Sequence, residues 1–388
     1  MDLLLNANCY APTPLGHQHL LVGGGKLLWM GQTAPSLPAA LGVRLHDLEG
    51  RRLIPGLVDG HVHVTGGGGE GGHGSKVPPL GLSRFTRHGV TTVVGLLGTD
   101  DATRSPAELV AAVHGLRAAG MSAWCWTAGY HLPPVTLTGT VRGDIAAIDC
   151  IIGVKTAISD HRSSQPTLDE LLRLGSEAHV GGLMTGKAGV VHLHVGDGAR
   201  GLEPIRAALA GSELPPRVFQ PTHVNRRREL FEEAIALAKD GSHVDVTAFP
   251  VADDEDAWDA ATAVIRYLDS GAPIERLSVS SDGGGCLPVF DHEGRVASMG
   301  VGEPGALPVT LAELVARGVP LEQALAPFTS SPARLLRLAG KGTIAVGADA
   351  DLVVLEEDGG VHDVMCGGRW QVRAGVVDVI GPFESRSA

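Results

Sequence analysis

The feature that most restricts this chain is an alternation between short apolar runs and stretches with helical character. Eight runs read as strands: 57–64, 90–97, 122–130, 149–155, 190–195, 218–223, 243–248 and 277–282. Helical stretches fall between them at 105–119, 167–178, 229–239 and 256–268, and a shorter one near 143–148. Ser105-Pro106 and Thr167-x-x-Glu170 are helix-start signals. Strands that alternate with helices pair in parallel through crossovers. Eight such units over roughly 290 residues predict a (β/α)8 TIM-like barrel rather than an open sheet.

The flanks read differently. Residues 1–54 hold short apolar runs (20–22, 26–30, 41–48) broken by Gly and Pro, which favours strands and turns. The far end reads as strand, turn and strand over 342–355, with further strands at 361–365 and 369–372. The expectation is one small β-sandwich domain built from 1–54 and 343–388, around a barrel spanning 55–342.

Composition narrows the function. Net charge is −12 and aromatics are 4% of 388 residues, with no basic stripe, which argues against nucleic acid as a partner. No run is long and apolar enough for a membrane span, and the opening residues, with an acidic Asp2 and no basic region before the apolar stretch, lead us to expect no secretory signal. The five cysteines are scattered, with no Cys-x-x-Cys, so neither a disulfide framework nor a cysteine zinc site is expected. A reducing, cytoplasmic setting is the simplest reading.

Metal-binding residue types gather late in the strand runs. His61 and His63 stand two apart in Val58-Asp59-Gly60-His61-Val62-His63, so on a strand they share a face. Lys155 ends the fourth run, His223 the sixth and Asp282 the eighth; His192 and His194 both lie in the fifth. Barrel active sites lie at the C-terminal ends of strands. Imidazoles and a carboxylate without thiolate suit zinc best. Six ligands exceed one tetrahedral zinc and suit two divalent ions roughly 3.5–4 Å apart. Two such ions need a bridging anion, and a buried neutral lysine that takes up carbon dioxide becomes one.

These residues resemble the amidohydrolase superfamily, and within it the isoaspartyl (β-aspartyl) dipeptidase family. The specific strings are His61-Val62-His63-x-x-Gly66-Gly67-Gly68-Gly69-Glu70, Gly95-Leu96-Leu97-Gly98-Thr99-Asp100, Gly153-Val154-Lys155-x-Ala157-Ile158-Ser159-Asp160-His161-Arg162-Ser163, Pro221-Thr222-His223-Val224-Asn225-Arg226 and Ser280-Ser281-Asp282-Gly283. The resemblance selects His194 over His192, leaving His192 behind the ligands or in the core. It implies His61, His63, Lys155, His194, His223 and Asp282 as metal ligands, with N6-carboxylation (a carbamate) on Lys155. It implies hydrolysis of an isopeptide amide by a metal-bridging hydroxide, with Asp282 as proton shuttle and Tyr130 at the oxyanion. For the substrate, it implies Glu70 on the α-amino group and Gly68 and Thr99 on the aspartyl α-carboxylate. Arg162 and Arg226 would meet the leaving residue's carboxylate. It also implies a large homo-oligomer, an octamer being one form.

One departure stands out. Cys286 occupies the place of a serine that contacts the α-carboxylate in that family, and a thiol donates more weakly. The glycine run continues through 71–76, either as a lid or as a plain flexible loop. Gly181-x-x-x-x-Gly186-Lys187 has phosphate-loop spacing, but Ala188 replaces the magnesium-binding hydroxyl and a strand-like run follows, so it is rejected. Competing readings are another binuclear amidohydrolase acting on cyclic amides or N-acyl amino acids, and a non-catalytic scaffold on the same fold. The scaffold sits poorly with a full set of ligands.

Overall fold

The computed structural model describes every residue except 253, 291, 292, 294 and 386–388. The N-terminal segment forms β1 (Asp2–Tyr10), β2 (Pro14–Gly23), β3 (Lys26–Gly31), β4 (Arg44–Asp47) and β5 (Arg52–Pro55). Eight strands follow: β6 (Leu57–Val62), β7 (Val90–Gly95), β8 (Ser122–Thr127), β9 (Ile151–Ile158), β10 (Val190–Val195), β11 (Phe219–Thr222), β12 (Val244–Thr247) and β13 (Leu277–Ser280). Then come the antiparallel pair β14 (Cys286–Phe290) and β15 (Val296–Val301), and finally β16 (Leu352–Leu355), β17 (Val361–Cys366), β18 (Arg369–Arg373) and β19 (Val376–Val377).

Strands β6 to β13 pair in parallel in chain order, each with the next. The seam between β13 and β6 is drawn together by a Val62–Gly283 bridge and by His63 N–H donating to the Gly283 carbonyl at 2.9 Å. This is the expected TIM-like barrel. Its strands are buried on both faces, which is why the sequence shows continuous apolar runs there. The helix Pro106–Ala118 starts where Ser105 accepts from Glu108 N–H, and Leu168–Thr185 starts with a Thr167–Glu170 capping box. That second helix runs well past the expected 178. Gly181–Thr185 lies in its last turn, so the phosphate-loop lookalike is a helix end, with β10 following it.

The flanking strands join one nine-stranded sheet in the order β19-β18-β17-β16-β5-β1-β2-β3, with β4 beside β1. The two ends of the chain meet where β5 and β16 pair antiparallel, Ile54 opposite Val353. Leu4, Leu20, Leu27, Leu53, Ile344, Leu352 and Met365 form a core separate from the barrel's, consistent with a small sandwich. Two further local expectations differ from the structure. Among the described residues, only Leu352–Leu355 of the 342–355 stretch is strand, because the Gly342 and Gly347 backbones turn into the left-handed region (φ 66° and 88°). Lys155 does not end its strand: β9 continues to Ile158, and Lys155 lies in its middle.

Candidate metal centre and substrate cavity

A cavity of about 580 Å³ opens at the C-terminal ends of the barrel strands. It is lined by His61, His63, Gly68, Glu70, Thr99, Tyr130, Arg162, His194, His223, Arg226, Asp282 and Cys286. Lys155 alone of the expected site residues is not on its wall. It is 1% exposed, beneath the floor, with Nζ 3.5 Å from His61 Nδ1.

The chain's path explains the convergence. The pairing of β6 with β7 slips between Asp59 and Val62, and the strand ends one residue before His63. His61 and His63 still point together: their Nε2 atoms lie 3.2 and 3.4 Å from Asp282 Oδ1. His223 and Asp282 each leave a strand through left-handed backbone (φ 64° and 51°). Non-glycine residues hold that conformation at a cost, and it turns both side chains over the barrel mouth.

Protons in the site can be placed by following donors. Asp245 accepts from Ser278 Oγ–H, which accepts from the Gln220 amide at 3.2 Å. Gln220 Oε1 therefore accepts from His192 Nδ1–H at 2.9 Å, and His192 Nε2 accepts from His61 Nδ1–H at 2.8 Å. This leaves a bare lone pair on His61 Nε2, facing a carboxylate oxygen. Asp282 Oδ1 is buried and accepts no hydrogen bond among the described residues. A lone pair facing an anion with no proton between them is an arrangement that a cation completes. The donor atoms of His61, His63 and Asp282 all lie within 4.8 Å of one another. The residues present therefore fit a divalent ion.

Charge states agree with that. Burial, then the Lys155 charge, hold His61 well below the usual imidazole range. Burial, then His61, do the same for His223. Burial lowers His194 to about 3, against the opposing hydrogen bond to Asp160. All three imidazoles are neutral at pH 7. Asp282 stays ionised: burial pushes it up, but His63, His223 and Lys155 hold it below its usual value. Burial brings Lys155 down to about 7, with the Asp282 and Asp245 charges resisting. Among the described residues no carboxylate lies within ion-pair distance of Lys155 Nζ.

Three residues expected to recognise the substrate, Glu70, Thr99 and Arg162, engage one another. Thr99 Oγ1–H donates to Glu70 Oε1 at 2.8 Å, and Arg162 Nη1 lies 3.4 Å from the same oxygen. Arg162 also forks onto Asp160 at 2.8 and 3.0 Å. Arg226 is held by Asp197 at 2.9 Å and by the Val195 carbonyl at 3.0 Å. The Tyr130 ring packs 4.9 Å from His194, and burial raises its phenol well above its usual value. Burial, then the Glu70 charge, push the Cys286 thiol up to about 12. Gly68 has φ 89°, and a Cβ there would sit 2.6 Å from the Ser75 carbonyl oxygen, so the loop passes the cavity only as glycine. The 71–76 loop is tied by a Gly68–Lys76 bridge and by Lys76 Nζ donating to Thr103 at 2.6 Å.

Sequence reasoning left several residues without a role. Asp160 stands inside a quoted string, yet its place against His194 and Arg162 was not drawn from it. Buried Asp59 accepts from Ser281 N–H and hydroxyl, and Thr247 holds His223 Nδ1 at 2.8 Å. The signal for these was a polar residue inside an otherwise apolar strand. His161 reaches the cavity wall, while the His131 backbone N–H donates to Asp101 at 2.8 Å.

Residues 52–371 match the model of the amidohydrolase family, and the chain belongs to that family. Within it, the chain is similar to the β-aspartyl dipeptidase of Fervidobacterium islandicum AW-1. It shares 38% identity with the structure of that enzyme in complex with β-Asp-Leu dipeptide, covering 99% of this chain and 100% of the other, at a TM-score of 0.92. A second structure of that dipeptidase gives 37% identity over the same shares, at 0.89. Among curated proteins, imidazolonepropionase of Cupriavidus necator is 32% identical over 117 residues, 29% of this chain and 28% of the relative's length. None of the helices among the described residues is long and apolar enough to cross a membrane.

Proposed function

We propose that this protein hydrolyses the β-aspartyl amide bond of isoaspartyl dipeptides. The observation that carries the reading is the 38% identity and 0.92 TM-score, over essentially the whole of both chains, to a β-aspartyl dipeptidase with its dipeptide.

His61, His63 and Asp282 would hold one divalent ion, and His194 and His223 a second. When bound, such ions polarise the scissile carbonyl and make water a competent nucleophile at neutral pH. The chain's own groups do the rest. Asp282, ionised and buried, accepts the water's proton and later gives it to the leaving amine. The Tyr130 phenol, kept protonated by burial, donates to the developing oxyanion. Glu70 takes the substrate ammonium in exchange for its contacts with Thr99 and Arg162. Gly68 and Thr99 face the aspartyl α-carboxylate with Cys286 beside them, and Arg162 and Arg226 take the leaving residue's carboxylate.

The finer reading has zinc as the ion, with Lys155 carrying a carbamate as the bridging anion. Support for zinc is the nitrogen and oxygen donor set. Support for the carbamate is an amine lying under the ligands without a carboxylate partner. Homo-oligomerisation and a cytoplasmic location complete it, resting on the resemblance and on the scattered cysteines. Intact mass of protein prepared with bicarbonate, metal analysis and sedimentation check these points.

The deciding test is turnover of β-Asp-Leu against α-Asp-Leu by protein loaded with zinc and bicarbonate and shown to carry metal. Preference for the β-linked peptide is expected. Turnover of neither sinks the substrate assignment and makes cyclic amides the next substrates.

A further inference from the structure

At the N-terminal end of β9, on the barrel face opposite the cavity, three donors from two elements converge. His114 projects from the helix Pro106–Ala118, and Asp149 and Cys150 immediately precede β9. Cys150 Sγ lies 4.0 Å from His114 Nε2, which lies 4.0 Å from Asp149 Oδ1. All three donor atoms fall within 4.8 Å of one another. Nothing in the proposed reaction uses them. We propose that His114, Asp149 and Cys150 form an additional, non-catalytic site for a thiophilic divalent cation of the zinc type, with water as the fourth ligand.

The chemistry of the set is selective. Thiolate, imidazole and carboxylate together favour zinc-like ions over magnesium or calcium. A tetrahedral zinc site needs neighbouring donors about 3.4–3.6 Å apart, so the two pairs involving His114 must close by roughly half an ångström, and the sulfur–carboxylate pair by no more than about 1.4 Å. The means are at hand: the His114 side chain is 51% exposed, and the Asp149 side chain, 68% exposed, can turn Oδ1 about its contact with Arg117, whereas Cys150 is fully buried. A second observation points at the sulfur. Cys125, also fully buried, has Sγ 4.0 Å from Cys150 Sγ and is placed to donate to it. A thiol donating to a neighbouring sulfur supports the thiolate that a cation requires. On binding, a metal–sulfur bond replaces the Cys150 S–H bond and the proton leaves to solvent, with no change of oxidation state.

Two cations nearby set the limits of the site. Arg117 pairs with Asp149 through Oδ2, which leaves Oδ1 toward His114. Lys187 Nζ is held by the Ile145 and Ile148 carbonyls at 2.6 Å each. The thiolate and the carboxylate together offset these charges. The bound ion would tie the crossover helix to the start of β9, far from the reacting bond.

The test uses the full chain, loaded with zinc, freed of excess metal, kept reduced and then titrated with cadmium. The cavity's ligand set contains no sulfur, so a thiolate-to-cadmium charge-transfer band in the ultraviolet reports on Cys150. The C286S variant controls for the one cysteine on the cavity wall. Wild type and C286S are expected to bind one thiolate-ligated cadmium per chain. The band is expected to vanish in C150S, and H114A to bind cadmium about tenfold or more weakly. A wild-type titration without the band overturns the site. So does an H114A variant, altered only at an exposed side chain, that keeps full affinity.

Discussion

Asp160 Oδ2 lies 2.7 Å from His194 Nε2, and the same carboxylate forks onto Arg162. Burial pushes Asp160 up, but the hydrogen bonds from His194 and Arg162 prevail and hold it well below the usual carboxylate range. It is therefore an acceptor, His194 Nε2 carries the proton, and Nδ1 keeps its lone pair. A carboxylate behind a ligating imidazole fixes its tautomer and raises its basicity. Asp160→Ala is expected to weaken metal binding about 10–100-fold. Metal retained per chain after dialysis checks this, and full retention in the variant would remove Asp160 from the role.

Glu70 is predicted to act on binding more than on chemistry. In the free protein it accepts from Thr99 and faces Arg162, so an arriving ammonium exchanges one cation for another at the same carboxylate. Glu70→Gln keeps the shape and removes the charge. Loss of a charge-assisted hydrogen bond of about 1.5–3 kcal/mol corresponds to a KM for β-Asp-Leu raised roughly 10–100-fold. Steady-state kinetics separate this from a fall in kcat, which would place Glu70 in the chemical step instead.

The barrel was readable because its strands are buried on both faces and so appear as unbroken apolar runs. Val190–Val195 matches its expected bounds, and the other seven strands differ only at their ends. The candidate ligands could be picked out because each lies within such a run or just after one. Three things were not readable. The extension of β9 beyond Lys155 has no local mark, since Thr156-Ala157-Ile158 continues the same apolar texture. The strand expected after Gly342 gave way to turns because glycines at positive φ break the ladder, and alternation alone does not display that. The chain from His61 through His192, Gln220 and Ser278 to Asp245 links five strands, and no spacing in one dimension encodes it. The resemblance left His192 either behind the expected ligands or in the core, and the hydrogen bonds set it between His61 and Gln220.

Cys286 is where specificity is expected to be adjustable. Its thiol, kept protonated by burial, stands beside Gly68, whose added Cβ would lie 3.4 Å from Cys286 Cβ. A hydroxyl there donates more strongly than a thiol. Cys286→Ser is expected to lower KM for β-Asp-Leu by roughly 2–10-fold, the worth of about 0.5–1.5 kcal/mol in one hydrogen bond. Unchanged KM would mean that the aspartyl carboxylate does not reach this position.

The junction between barrel and flanking sheet gives the last prediction, on stability. Lys341 Nζ is 2.5 Å from Asp351, 2.8 Å from Asp349 and 2.5 Å from Ser122 Oγ at the start of β8, with its side chain only 6% exposed. Asp351 in turn accepts from the Gly367 N–H at the β17–β18 turn. Removing the ammonium leaves a buried carboxylate without its partner, so Lys341→Met is expected to destabilise by about 3–5 kcal/mol. The pH dependence has a definite sign. Burial works against the Lys341 charge, but Asp351 and Asp349 prevail and raise it above 10.5. Its contribution is therefore complete below pH 10.5 and is lost as pH rises through the higher folded value. Asp349 moves the other way: burial raises it, but Lys26 and Lys341 bring it below 3.8. Its contribution is present above pH 3.8 and disappears as pH falls through the lower folded value. Melting temperatures of wild type and Lys341→Met across pH should differ most between those limits and converge beyond them. A difference that stays constant into strong alkali would show that packing of the lysine stem, not its charge, holds the junction.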